Sequence, residues 1–249
     1  MTSVLDINIS ETSYEAATQR IQNWSTRHES RYVCAANVHM LMEAYDSPAF
    51  AGMVNNADLV TPDGMPLVWM MRAKGCRGQG RVYGPTLMLS VLKAAARENL
   101  AVGFYGGRLH VLEKLVNEMQ ARFPKLNIVF SCSPSFDGIG LEEEAEVVEK
   151  INQSGTQILF VGLGCPKQEI WMAQHHDRVQ AVMIGVGAAF DFHAGGTPQA
   201  PAWMQRLGLE WFFRLLMEPR RLWWRYLYHN PRFVWLAIAD LLGFLKKAS

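Results

Sequence analysis

The chain has 249 residues, 49% of them hydrophobic and 19% charged, with a formal net charge of +1. This composition describes a core-forming protein with one large domain, or a domain plus an appendage, and excludes a disordered chain. The near-neutral charge gives no global case for nucleic acid, and the scattered Cys34, Cys76, Cys132 and Cys165, with no CxxC pair, give none for a cysteine zinc site or a disulfide framework.

The opening MTSVLDINIS has no basic n-region and no apolar h-region, so it is not read as a signal peptide. A helix is expected over ETSYEAATQRIQNW, then a strand over YVCAA (32–36). Asn37 closes that strand and opens the helix NVHMLMEAY. Asn is a good N-cap, and at a strand's carboxyl end it is also placed to bond a sugar hydroxyl or a base. LVTPDGMPLVW follows, an apolar run with one carboxylate, Asp63, between Pro62 and Gly64. Two readings stand: Asp63 is a turn residue, as P-D-G often is, or it is presented for chemistry.

A helix is expected over PTLMLSVLKAAAREN, and a strand over AVGFYG (101–106). The strand runs into Gly106 and Gly107 and the helix RLHVLEKLVNEMQARF, with Leu109, Leu112, Leu115, Val116 and Met119 at helical spacing. A strand over 127–133, a helix over LEEEAEVVEKINQ and strands over 157–164 and 181–187 complete the pattern. Strands that are apolar throughout, alternating with helices, predict an α/β fold: a Rossmann-like, mostly parallel sheet with helices on both faces over 1–195. Ligands of such sheets sit at the carboxyl ends of the strands.

The strand over 157–164 ends in GLGCPKQE, where Gly164, Lys167, Gln168 and Glu169 gather at a helix start. Free N–H groups and the dipole there suit phosphate, as they do after Gly107. Neither turn completes GxGxxG or a Walker A loop, which disfavours a dinucleotide oxidoreductase. The next strand end carries Asp191 and His193, and His193 is read as structural. The adjacent His175 and His176 cannot share a helix face and are read as surface or packing residues.

After GGTPQAP the chain changes character. Residues 196–249 are expected to form a helical, basic and aromatic appendage, in three segments separated by Pro219 and Pro231. After residue 213, Arg214, Arg220, Arg221, Arg225, Arg232, Lys246 and Lys247 face only Glu218 and Asp240. Interleaved Trp and Tyr make this an interfacial, membrane-contacting surface or a subdomain packed on the core or another subunit. The longest late apolar stretch, FVWLAIADLLGFL, is too short to span a bilayer.

Taken together, TPDGMPLVW, RVYGPTLM, GFYGG, FVGLGCPKQEIW and the long block from GVGAAFDFHAGG to YHNPRF resemble the WecG/TagA/CpsF glycosyltransferase family over nearly the whole chain. The resemblance implies an inverting transfer from a UDP-sugar to a sugar on a polyprenyl diphosphate, in cell-surface polysaccharide synthesis. It implies no cofactor and no metal. It assigns Asp63 as general base and Asn37, Arg81, Gln168 and Asp191 to the donor pocket, to which the turn residues Gly106, Gly107, Gly164 and Lys167 are added. The tail residues Arg214, Arg221 and Arg225 are assigned to the acceptor or its phosphates. Partners are then the UDP-sugar, the lipid-linked sugar and the cytoplasmic face of the inner membrane, where the enzyme sits peripherally; a homo-oligomer is possible and nucleic acid is not expected. Two departures bear on sugar preference: Ala35 stands where relatives often have Thr, and Gln199 where a basic residue is common. From the residues alone, a nucleotide- or sugar-binding module without turnover is the alternative.

Overall fold

The computed structural model describes residues 1–134 and 141–244; the side chains of 141–143 and of Arg221 fall outside that description, as do Lys246 and Lys247. The chain order is β1 (Thr2–Val4), β2 (Ile7–Ile9), α1 (Tyr14–Thr26), β3 (Arg31–Ala36), α2 (Val38–Asp46), α3 (Pro48–Asn55), β4 (Leu59–Pro62), α4 (Met65–Ala73) and α5 (Gly84–Glu98). It continues with β5 (Ala101–Gly106), α6 (Leu109–Arg122), β6 (Asn127–Cys132), α7 (Leu141–Gln153), β7 (Ile158–Gly162), α8 (Lys167–Gln174) and β8 (Val182–Gly185). The helices α9 (Ala189–His193), α10 (Ala202–Arg206), α11 (Glu210–Met217) and α12 (Pro219–Leu241) follow.

Six strands form one parallel sheet in the order β4-β3-β8-β7-β5-β6. The fold is the expected α/β type. Parallel strands need helical crossovers, and these cover both faces. One face packs against α2, α3, α7 and α8 through Met40, Phe50, Ile151 and Trp171. The other packs against α1, α5 and α6 through Ile21, Val91 and Leu115. The crossover after β5 therefore leaves to one face and that after β7 to the other. Neighbouring strands with diverging crossovers open a crevice at their carboxyl ends, where ligands of such sheets bind.

Three elements differ from the sequence expectation. β1 and β2 form a short antiparallel hairpin, and β4 pairs with β3 on the edge of the sheet; the strands in question have only three or four residues, too few for a periodic signal. Pro231 does not separate two segments but lies inside the continuous α12. A proline costs one backbone hydrogen bond and a clash with the preceding turn, which burial of Phe233, Leu236 and Ala237 just beyond it offsets. Leu109 is 62% exposed at the start of α6, whereas Val111, Leu112, Leu115 and Met119 form its buried face.

The last helix returns to the body of the protein. Phe233, Leu236 and Ala237 join the same core as α2 and the hairpin. Lys74 Nζ lies 2.6 Å from Asp240, whose carboxylate also accepts from the Leu5 N–H at 3.2 Å. Arg232 grips Asp46 with both terminal nitrogens, one at 2.6 Å.

Candidate active site

The strand ends place most of the expected residues on one rim. Ala36 ends β3 and Pro62 ends β4, and the two residues are paired across the strands. The Asp63 and Gly64 N–H groups both donate to the Ala36 carbonyl, at 2.9 and 3.1 Å. Gly64 lies so close to Asn37 that a Cβ would stand 3.3 Å from its Cα. Asn37 is the N-cap of α2 and accepts from the Met40 N–H at 3.2 Å, and its side chain also hydrogen-bonds Asp63. Asn37 thus caps α2 and holds Asp63 at once.

Asp63 is the centre of a charged knot. Its Oδ1 accepts from the Gly84 N–H, at the start of α5, at 3.2 Å. Arg81 donates through Nε to the Asp63 carbonyl and sets its Nη2 3.6 Å from Oδ1. The same Nη2 lies 2.7 Å from Glu210 in the first turn of α11, and Tyr83 donates to the other Glu210 oxygen at 2.9 Å. Arg81 also lies over the Tyr83 ring, 4.0 Å from its centroid. Burial pushes the Asp63 carboxyl up to about 6; Arg81 opposes the rise, Glu210 adds to it, and the bonds from Gly84 and Asn37 oppose it. Asp63 is thus a mostly buried carboxylate, its side chain 14% exposed, whose raised pKa follows from its surroundings.

The second part of the rim is built by β7 and β8. Gln168 is buried, accepts from the Gly164 N–H at 3.2 Å and donates to Glu169 at 2.7 Å. Gly185 is required beside it, since a Cβ there would meet Gln168 Nε2 at 2.9 Å. Glu169 is fully buried, one of its oxygens has no hydrogen-bond partner among the described residues, and burial pushes it up to about 7. Gly164 has φ +79°, which favours glycine, and its carbonyl accepts from the Gln168 N–H at 2.9 Å, so the turn and Gln168 hold each other. Lys167 is exposed at the first position of α8.

Gly106 and Gly107 lie at the crevice between β5 and β7. At Gly106, φ is +114° and a Cβ would come within 2.6 Å of the Gly162 carbonyl carbon. The Gly107 N–H donates to the Gly162 carbonyl at 3.1 Å. Phe190 closes the space, its ring 2.5 Å from where a Gly162 Cβ would be. These glycines are needed for packing. Asp191, in the following turn of α9, is exposed. From β4 to β7 the rim spans three inter-strand steps, about 14 Å.

The tail lies against this rim. Arg214 stacks over Phe192 at 5.6 Å, and its Nε is buried without a hydrogen-bond partner among the described residues. Arg225 and Arg214 both act electrostatically on His39, two residues past Asn37, which burial and these charges push down to about 3. Arg221 lies in α12, but its side chain is outside the described residues. His193 is structural, its Nε2 2.9 Å from the Pro85 carbonyl. His175 is buried against Trp171, and His176 packs edge-on to Tyr32. Sequence reasoning missed Glu210 and Tyr83, whose pairing with Arg81 bridges distant parts of the chain. It also missed the convergence of His39, Glu43 and His229, the one group of three potential metal ligands among the described residues.

A family model described as "Glycosyl transferase WecG/TagA/CpsF family" matches residues 2–247. The chain is 32% identical over 209 residues to an N-acetylglucosaminyldiphosphoundecaprenol N-acetyl-beta-D-mannosaminyltransferase of Bacillus spizizenii, covering 84% of this chain and 79% of that protein. It is 28% identical over 202 residues to a protein of the same name from Bacillus subtilis strain 168, covering 81% and 76%.

Proposed function

The chain belongs to the WecG/TagA/CpsF family of glycosyltransferases, and on that premise we propose that it moves a sugar from UDP to a sugar on a polyprenyl diphosphate, with Asp63 as general base. The two relatives are named for transfer of N-acetylmannosamine to N-acetylglucosaminyl-diphosphoundecaprenol, so an N-acetylhexosamine donor and that class of acceptor are the first candidates here.

The observation that carries the reading is the environment of Asp63: a mostly buried carboxylate at the carboxyl end of β4, bonded to Asn37 and the Gly84 N–H and set beside Arg81, with burial raising its pKa to about 6. A base works best with a pKa near the working pH. The acceptor hydroxyl attacks the anomeric carbon, its proton passes to Asp63, and the bond from that carbon to the UDP oxygen breaks. One direct displacement inverts the anomeric centre and needs one carboxylate.

Asn37 orients Asp63 and the incoming hydroxyl. Gln168, the glycine turn at Gly164 and the start of α8 with Lys167 receive the nucleotide end, across a rim of suitable length. Leaving UDP gathers negative charge, which a site without a catalytic metal meets with cations and N–H dipoles. Arg81, Arg214 and Arg225 supply them, and Arg214 offers a buried guanidinium N–H that lacks a partner among the described residues.

The acceptor is a lipid, and the tail suits its surface. Among the described residues, all but four of the exposed large hydrophobic side chains lie at or after Trp203. No helix among them is long and apolar enough to cross a membrane. We place the enzyme on the cytoplasmic membrane face, with the aromatic and basic tail at headgroup level.

The test is acceptor-dependent UDP release. The full chain is given UDP-N-acetylmannosamine, UDP-N-acetylglucosamine or UDP-glucose with a polyprenyl-diphosphate N-acetylglucosamine in vesicles. Release from one donor, with the sugar recovered on the lipid and no requirement for added Mg2+, is the expected result. Transfer that depends on Mg2+ contradicts the proposed charge stabilisation.

A further inference from the structure

Away from the reacting groups, α2 and α12 meet at three side chains with metal-ligating atoms. His39 and Glu43 stand one turn apart on α2, with His39 Nε2 3.2 Å from Glu43 Oε1. His229, from the middle of α12, brings its Nε2 to 4.0 Å from the same oxygen. One ligand atom from each of the three lies within 4.8 Å of the others. The two imidazoles meet edge to face, with centroids 5.3 Å apart and planes at 85°, so they converge rather than stack. His229 Nδ1 is buried with no hydrogen-bond partner among the described residues, and rotation about χ2 presents either ring nitrogen to the cluster.

We propose that His39, Glu43 and His229 form a transition-metal site, of the zinc class, that clamps α12 onto α2. Metal bonds of about 2.0–2.2 Å put neighbouring ligands of a tetrahedral zinc roughly 3.3 Å apart. The His39–Glu43 pair already has that spacing, and His229, 4.0 Å from Glu43 and within 4.8 Å of His39, closes the remainder by moving about 1–1.5 Å. Two imidazoles and one carboxylate are the donor set of zinc, nickel, cobalt and ferrous iron. Magnesium and calcium, held by charge through oxygen, are disfavoured by this donor set. Arg214 and Arg225 act on His39 and Arg225 and Arg232 on His229, with Glu43 and Asp46 opposing them at His229, so a metal here is held by its coordinate bonds against neighbouring cations. Such a site holds its metal through nitrogen bonds and leaves a fourth position to water.

The location gives the site its role. His39 lies two residues beyond the Asn37 cap, and His229 sits four residues beyond Arg225 on the helix that carries the tail. A metal there ties the appendage to the rim at a point separate from the Glu210–Arg81 contact. Its part is to hold α12, and the transfer step is not routed through it.

The test uses the full chain, stripped with a chelator, exchanged into chelator-free buffer and titrated with Zn2+ against a chromophoric competitor, then separately with Co2+. One equivalent of Zn2+ is expected, with affinity falling about tenfold or more in H229Q and in E43Q. These variants lie on different helices, so one remains informative if the other fails to fold. The Co2+ form should show d–d bands without a thiolate charge-transfer band. Zn2+ should also slow tryptic cleavage at Arg206 and Arg220 in the wild type and not in the variants. Equal Zn2+ binding by wild type and both variants, or a thiolate band from the cysteines, overturns the site. Zn2+ bound without a change in cleavage overturns the clamp.

Discussion

Asp63 titrates where opposed forces leave it. Burial and Glu210 disfavour its charge, while Arg81, the Gly84 N–H and Asn37 favour it. If it is the base, the acid limb of the kcat/KM profile should fall near pH 6. E210Q keeps a hydrogen-bonding group toward Tyr83 and Arg81 but removes the negative charge that raises Asp63. We expect the limb to move to lower pH, by roughly half a unit to one unit, and pH–rate profiles of the two proteins measure it directly. A limb that stays in place or moves up separates Glu210 from the base. Glu169 allows a stability test of the same physics. Its folded pKa of about 7 lies above the ordinary 4.5, so the folded state keeps a proton that the unfolded state loses. Stability is therefore lost as pH rises from 4.5 towards 7, on the order of 3 kcal/mol in full. E169Q, always neutral, should match the wild type at pH 4.5 and exceed it by about that amount at pH 8 in urea unfolding. A difference independent of pH contradicts the buried, protonated carboxylate.

At the scale of elements, the crevice between β5 and β7 depends on backbone contact without side chains. G106A forces a Cβ to within 2.6 Å of the Gly162 carbonyl carbon at a φ of +114°. The strand ends must part or the backbone must strain, at a cost of about 3 kcal/mol, read as a lower denaturant midpoint. A midpoint within error of the wild type contradicts the close approach of the two strands. The glycines themselves were legible in the sequence, because a strand running into Gly-Gly before an amphipathic helix has few other readings. Five strands of the sheet and the helices α1, α2, α5, α6 and α7 were legible for the same reason: long, uniformly apolar or periodic runs. The N-terminal hairpin and β4 were not, since three or four residues carry no period. Pro231 misled because local helix cost is visible in sequence and the burial of Phe233 and Leu236 that offsets it is not.

At the scale of the whole molecule, the tail both packs on the core and leaves its aromatic side exposed. Trp224, Leu227 and Trp235 are 64%, 64% and 72% exposed. The full chain should sediment with anionic phosphatidylglycerol vesicles and much less with phosphatidylcholine, and salt should weaken the binding. Replacing those three residues by Ser should lower partitioning about tenfold or more without shifting the melting temperature. Equal binding to both lipids, or no effect of the triple substitution, contradicts the interfacial reading. The positions of Asn37 and Asp63 at strand ends and of Gln168 at the start of the next helix were legible in the sequence. The contacts made by the returning tail were illegible: Glu210 reaching Arg81 and His229 reaching His39 join residues far apart in sequence, and one sequence contains no trace of such pairing. The central claim concerns Asp63, and the most direct measurement compares the full chain with D63N at equal folded concentration in vesicles, with the donor that the wild type uses. We predict that acceptor-dependent UDP release falls by about a hundredfold or more while UDP binding is retained. Transfer by D63N at the wild-type rate would contradict the account and return Asp63 to the role of a turn residue.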